Sequence, residues 1–128
     1  MKSIANHVQT HADALNLRAK RNEILASNIV NSATPNFKAR DIDFNKALQA
    51  RMDVGPVNVS NERHFKFYTG SGDEAAQFRQ SINPSVDGNT VELHVEQMQF
   101  SENVMRYQTS LEFLNRKFSG LISAIKGE

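Results

Sequence analysis

The sequence has no cysteine. That excludes a disulfide framework, a thiolate metal site and a thiol nucleophile, and it leaves the chain indifferent to the redox state of its compartment. It also lacks a charge surplus: 15 basic and 14 acidic residues leave a formal net charge of +1. Such a balance exerts no general pull towards nucleic acid or an anionic membrane. No stretch approaches the roughly 20 apolar residues of a membrane span. The opening MKSIANHVQTHADALNLRAKR has no apolar run of the kind a cleavable signal peptide carries, so no cleaved leader is expected. Hydrophobic residues make up 39% of the chain, which is low for a compact domain. Large apolar side chains are scarce before Leu15. With 128 residues, one domain is the default.

What apolar content there is concentrates at the two ends. Val8, Ala12, Leu15, Ala19, Asn22, Ala26, Ile29 and Ala33 follow one another at alternating spacings of 4 and 3. That is a heptad stripe on a helix of about residues 3–32. Alanine fills many of its positions, so a partner backbone can approach closely. Phe100, Val104, Tyr107, Leu111, Leu114, Phe118, Leu121 and Ile125 repeat the same pattern with large side chains. Asn89 followed by Glu92 resembles a capping box and predicts that this second helix starts at Asn89 and runs to Lys126. The fold class expected is mainly α. Long N- and C-terminal helices pair as a coiled-coil-like layer around a small irregular or β-containing middle. Residues 1–34 and 89–128 form the terminal-helix domain, and 35–88 form an extended arm, short β-like segments and a loop. Within that middle, DFNKALQARMD fits a short helix or an arm. VNVS and HFKFY alternate like strands joined by a turn at NER, and TGSGDEAAQFRQSINPSVDG reads as a mobile loop. One stripe against an alanine-rich stripe is a thin core for helices this long. The ends are therefore expected to order by packing against other chains.

Candidate chemistry is sparse. His7 and His11 stand at a spacing that can hold zinc, but no third ligand with motif spacing accompanies them, and surface histidines are the commoner explanation. Glu92 and Glu96 share a helix face as paired catalytic carboxylates do. They also suit a first turn, where acidic side chains oppose the helix dipole. Arg18, Lys20 and Arg21 lack the interleaved aromatics of a nucleic-acid surface, so a solvated or intersubunit face is the better reading. The phosphate-cradling glycine loop, the Gly-x-Ser-x-Gly elbow and the His-Glu-x-x-His pattern are missing. The chain is expected to be no enzyme and to use no cofactor, metal, nucleic acid or small-molecule substrate.

Between the two stripes lies LASNIVNSATPNFKARDIDF, Leu25 to Phe44. Pro35 sets φ for the second position of a turn and disfavours helix at Thr34. Asn36 falls where a type II turn needs φ > 0, and Phe37 anchors the exit. The motif Thr34, Pro35, Asn36 and Phe37 is thus a helix stop that redirects the chain.

This stretch, with the LNLRAKRNEI before it, resembles the N-terminal signature of bacterial flagellar rod, hook and hook-associated proteins. Within that group it is most similar to the proximal rod family FlgB, which typically reads Leu-Arg … Arg … Leu-Ala-x-Asn-Ile-x-Asn-x-x-Thr-Pro-Gly-Tyr-x-Ala-Arg-Asp-x-Asp-Phe. Leu17, Arg18, Arg21, Leu25, Ala26, Asn28, Ile29, Asn31, Thr34, Pro35, Ala39, Arg40, Asp41, Asp43 and Phe44 match it. DGNTVEL and NVMRYQ match further on, while Asn36 and Phe37 replace the usual Gly and Tyr. The resemblance implies terminal helices that stack between subunits into a helical tube, forming part of an export channel and transmitting torque. It implies uncleaved export through the flagellar type III apparatus to a basal-body rod that spans the periplasm. The partners implied are sibling copies, other rod proteins, the rod-base adaptor FliE and the MS ring. The assembly stripe is then Leu15, Ala19, Asn22, Ala26 and Ile29 with Phe100, Val104, Tyr107, Leu111, Leu114, Phe118, Leu121 and Ile125. Two rivals stand against this reading. A generic helical interaction module accounts for the stripes but not for the asparagine-rich exit, and no constellation supports a small enzyme.

Overall fold

The computed structural model describes residues 2–53, 76–83 and 85–127. Helix α1, Lys2–Val30, leads to a short strand β1, Arg40–Ile42, and helix α2, Phe44–Asp53. Strand β2, Ala76–Phe78, precedes the long helix α3, Leu93–Lys126. At about 1.5 Å per residue, α1 and α3 are roughly 43 and 50 Å long. The fold is mainly α, with two long terminal helices packed together and a small two-stranded sheet between them in sequence. The helices run antiparallel: Asn28 meets Glu96, Asn22 meets Asn103, and His11 meets Phe113. The two ends of the chain therefore lie at the same end of the pair.

Each boundary has a local cause. After Val30 the chain winds down through Asn31 N–H to Ser27 O, Ser32 N–H to Ile29 O and Thr34 N–H to Asn31 O. Gly127 ends α3 in a left-handed conformation, φ 76°, with its N–H donating to Ser123 O. The α3 start differs from the capping-box expectation. Glu92, not Asn89, is the N-cap residue, and it makes no side-chain cap bond. Asn89 is committed elsewhere, to the end of α1, so a tertiary demand overrides the local pattern.

Of the two readings of DFNKALQARMD, short helix or arm, the structure takes the helix, α2. The middle departs from the sequence reading at one point. Part of the stretch read as a mobile loop is strand β2, which pairs antiparallel with β1 in the register Arg40–Phe78, Asp41–Gln77 and Ile42–Ala76. A two-stranded ribbon is marginal alone. This one is held because Ile42 (3% exposed) and Ala39 (0%) are buried. The strands expected at VNVS and HFKFY lie outside the described residues.

The buried interior is half polar. Leu17, Leu25, Ala39 and Ile42 are its fully buried apolar side chains among the described residues, and Asn28, Asn89, Glu96 and Asn103 are buried just as deeply. The most deeply buried positions of α1 are not those of its stripe. On α1, Leu17, Leu25 and Asn28 are buried, whereas Leu15, Ala19, Asn22, Ala26 and Ile29 are each only partly covered. At 100° per residue the two sets lie roughly 127° apart around the helix. On α3 the stripe splits into two rows. Tyr107, Leu114 and Leu121, seven apart, are partly buried; Leu111, Phe118 and Ile125, also seven apart, are exposed at 38%, 44% and 85%.

Candidate functional site

Two regions carry the specific chemistry of the fold: a polar clasp at the turn end and an apolar row towards the chain ends.

The clasp begins at the turn. Phe37 N–H donates to Thr34 O at 3.3 Å, closing a four-residue turn with Pro35 and Asn36 at its centre. Asn36 sits at φ 60°, the only non-glycine residue with positive φ among the described residues. Its N–H donates to Asp87 O at 3.0 Å, which docks the turn on the segment before α3. Facing it, Gly88 has φ 77°, and a Cβ there would lie 2.6 Å from Asn36 Oδ1. Two left-handed residues thus interlock, and neither accepts a β-branched side chain. Asn36→Gly should keep wild-type motility, because glycine reaches this φ freely. Asn36→Val should abolish swimming in a soft-agar assay at equal expression. Equal halos for the two would show that the left-handed position does not matter.

Asn89 closes the other side. Its amide nitrogen donates to Asn31 O, Ser32 O and Thr34 O at 3.1, 2.9 and 3.0 Å, while its Oδ1 accepts from Val91 N–H at 2.8 Å. The carbonyls at a helix C-terminus lack intrahelical donors, and here a side chain from 55–58 residues downstream supplies one. Asn89→Asp turns that donor into a carboxylate facing three carbonyls at the negative end of a helix dipole. The expected loss is about 3 kcal/mol, read as a lower melting temperature by circular dichroism. Asn89→Ser should lose less. An Asp variant as stable as wild type would refute the capping role.

Deeper in, Asn28 joins three elements. Its Oδ1 accepts Arg40 N–H at 3.2 Å and its Nδ2 donates to Arg40 O at 2.7 Å, so the side chain acts as a third strand on the open edge of β1. The same Nδ2 lies 3.1 Å from Glu96 Oε2 on α3. Glu96 Oε1 receives Arg79 Nη1 at 2.8 Å, from the residue after β2. Arg21 forks onto Asp41 through Nε and Nη2, both at 2.8 Å, and also reaches Gln99 Oε1. The Asp41 hydrogen bonds, opposed by burial, hold the Arg21 guanidinium more firmly charged than usual. Further along, Asn103 Nδ2 donates to Arg18 O and Asn22 Oδ1.

The candidate pairs of the sequence reading separate in this geometry. Glu92 accepts from Asn83 N–H while Glu96 binds Arg79 and Asn28, so the two carboxylates serve different contacts. His11 packs on the Phe113 ring at 5.0 Å between centroids, and the His7 side chain lies outside the described residues. Spacing does not single out Asn28, Arg79 or Asn103, and it singles out Glu96 only as a companion of Glu92. The crowding of asparagine in ASNIVNS was the one available signal.

Fold and surface define a class: a protein built on two antiparallel helices, clasped at one end by polar contacts and left apolar along one row of α3. The comparisons with known proteins are specific about which. The sequence model described as flagella basal body rod protein matches residues 8–38. A curated relative named flagellar basal body rod protein FlgB, from Cereibacter sphaeroides, is 50% identical over 128 residues, the whole of both chains. A relative of the same name from Aeromonas hydrophila is 46% identical over 121 residues, 92% of this chain and 91% of that one. Another, from Escherichia coli strain K12, is 37% identical over 122 residues, 89% and 88% of the two chains. The chain belongs to the FlgB family of flagellar basal body rod proteins, and with that family goes a structural role in the rod.

Proposed function

We propose that the chain is a subunit of the proximal rod and assembles through its terminal helices into a helical tube. The open row of α3, Leu111, Phe118 and Ile125, carries this reading. A helix that covers one row of its stripe with its own partner and leaves the other apolar is shaped for a second neighbour. The partly covered stripe of α1, Leu15, Ala19, Asn22, Ala26 and Ile29, offers small side chains for close approach from another side. In the assembled tube these stripes pack between sibling copies and other rod proteins, with the adaptor FliE and the MS ring at the base. The tube spans the periplasm, transmits torque and encloses part of the export channel. The chain reaches it uncleaved through the flagellar type III apparatus. Among the described residues no helix is long and apolar enough to cross a membrane.

Deletion tests the reading. Loss of the chain should leave cells without hooks or filaments, stalled before hook assembly, and re-expression should restore swimming. A deletion strain with ordinary hook-bearing basal bodies would refute it.

A further inference from the structure

Asn22 is the one polar side chain among the eight positions of the α1 stripe. It faces Asn103 of α3, which is buried as deeply as Leu17 and Leu25. The Asn103 amide donates to Asn22 Oδ1 at 2.8 Å and to the Arg18 carbonyl at 2.9 Å. Its own Oδ1 is buried without a hydrogen-bond partner. A pair of leucines at this level would bury no polar atom, and exchanging buried polar groups for apolar ones of similar volume is often neutral or stabilising. Stability alone does not account for the pair.

Register does account for it. Both stripes repeat every seven residues. Sliding one helix along the other by seven residues, about 10.5 Å, brings apolar side chains against apolar side chains again. Within one chain the clasp fixes how α1 lies on α3. Between copies there is no clasp, and every copy offers the same two repeats. Slid by one heptad, Asn103 meets Leu15 or Ile29 in place of Asn22 and loses its side-chain partner. A single amide in an apolar seam selects register and partner in this way, at a cost in stability.

We propose that Asn22 and Asn103 are specificity residues, which hold α1 to α3 in one register and exclude slipped pairings with the α3 of another copy. This rests on the rod-subunit reading and deepens it. Subunits of a helical tube are displaced along its axis, so a neighbour's α3 approaches α1 out of register. The amide pair then keeps each copy's own helices together while its open apolar rows meet the neighbours.

The experiment removes both amides from the full chain. Asn22→Leu with Asn103→Leu should raise the melting temperature by about 5 °C. Asn22→Ala with Asn103→Ala removes the amides without adding volume and is the second variant. Purified, both should self-associate at least tenfold more tightly than the parent chain in analytical ultracentrifugation. In a strain without its own copy, both should reduce hook-bearing basal bodies at least tenfold. Register is read by mixing copies carrying His11→Cys with copies carrying Gly120→Cys, the chain being otherwise free of cysteine. His11 meets Phe113 in the closed pair, and residue 120 lies one heptad further on with open space for a side chain. A short bismaleimide should join the two copies in either double-variant background and not in the parent. Double variants that self-associate no more than the parent overturn the proposal, as does self-association without the 11–120 product, or rods built normally. If deletion of the chain leaves hooks intact, the rod reading fails, while the cross-link still reads the register on its own.

Discussion

Phe118→Glu should abolish rod assembly and leave the free chain folded. Phe118 lies in the open row of α3 and is 44% exposed. A carboxylate there is solvated while the chain is alone, and the melting temperature should stay within about 2 °C, as surface changes usually do. In a tube that covers the row, the same carboxylate would be buried without a partner. That costs several kcal/mol, and the penalty recurs at every copy. Hook-bearing basal bodies should fall at least tenfold. Leu114→Glu is the informative contrast. Leu114 belongs to the row already partly covered within the chain, so that change should lower the melting temperature and block assembly together. Glu112→Gln removes only an exposed i,i+4 pair with Arg116, and swimming should persist. A Phe118→Glu strain that swims would show that the open row does not face a neighbour.

Arg79→Met should destabilise the fold more than any surface change. The Glu96 side chain is 2% exposed, and Arg79 is its cationic partner. Removing one member of a buried pair strands the other, at a cost of about 3–5 kcal/mol. For a chain of this size that is roughly a 10–20 °C fall in melting temperature. The remaining Asn28 amide gives one hydrogen bond and no charge. The double variant Arg79→Met with Glu96→Leu should recover much of the loss, because no charge is then buried. If the double variant were as unstable as the single one, Arg79 would act through packing and not through its charge.

The helices were legible because heptad spacing is a local pattern and persists over eight positions at each end. The turn was legible for the same reason: Thr34-Pro35-Asn36-Phe37 carries its own backbone preferences. What escaped the reading is non-local and polar. Asn28 and Glu96 are 68 residues apart, and Asn22 and Asn103 are 81 apart. Spacing rules count apolar positions, so a core built half from asparagine and glutamate registers as surface. The thin-core expectation omitted these contacts altogether. Strand β2 is three residues long, AQF, in a polar stretch, and only its pairing with β1 makes it a strand. Asn89 satisfied a capping pattern for the wrong helix, because three downstream residues predict a cap but cannot say which carbonyls lie across the fold.

The rungs between α1 and α3 also impose an order on closure. Asn89 reaches the end of α1 across 55–58 residues of chain, the Asn28–Glu96 rung spans 68, and the Asn22–Asn103 rung spans 81. Bringing distant segments together costs loop entropy that must be spent before any contact forms. The shortest loop belongs to the clasp. Once it is shut, each further rung adds only the few residues between itself and the last. Loop entropy thus favours closure from the turn outwards, by about 0.3 kcal/mol between the first rung and the last if each closed alone. The same gradient leaves the apolar row, at the far end from the clasp, as the part of the molecule most easily parted from its own partner and handed to another.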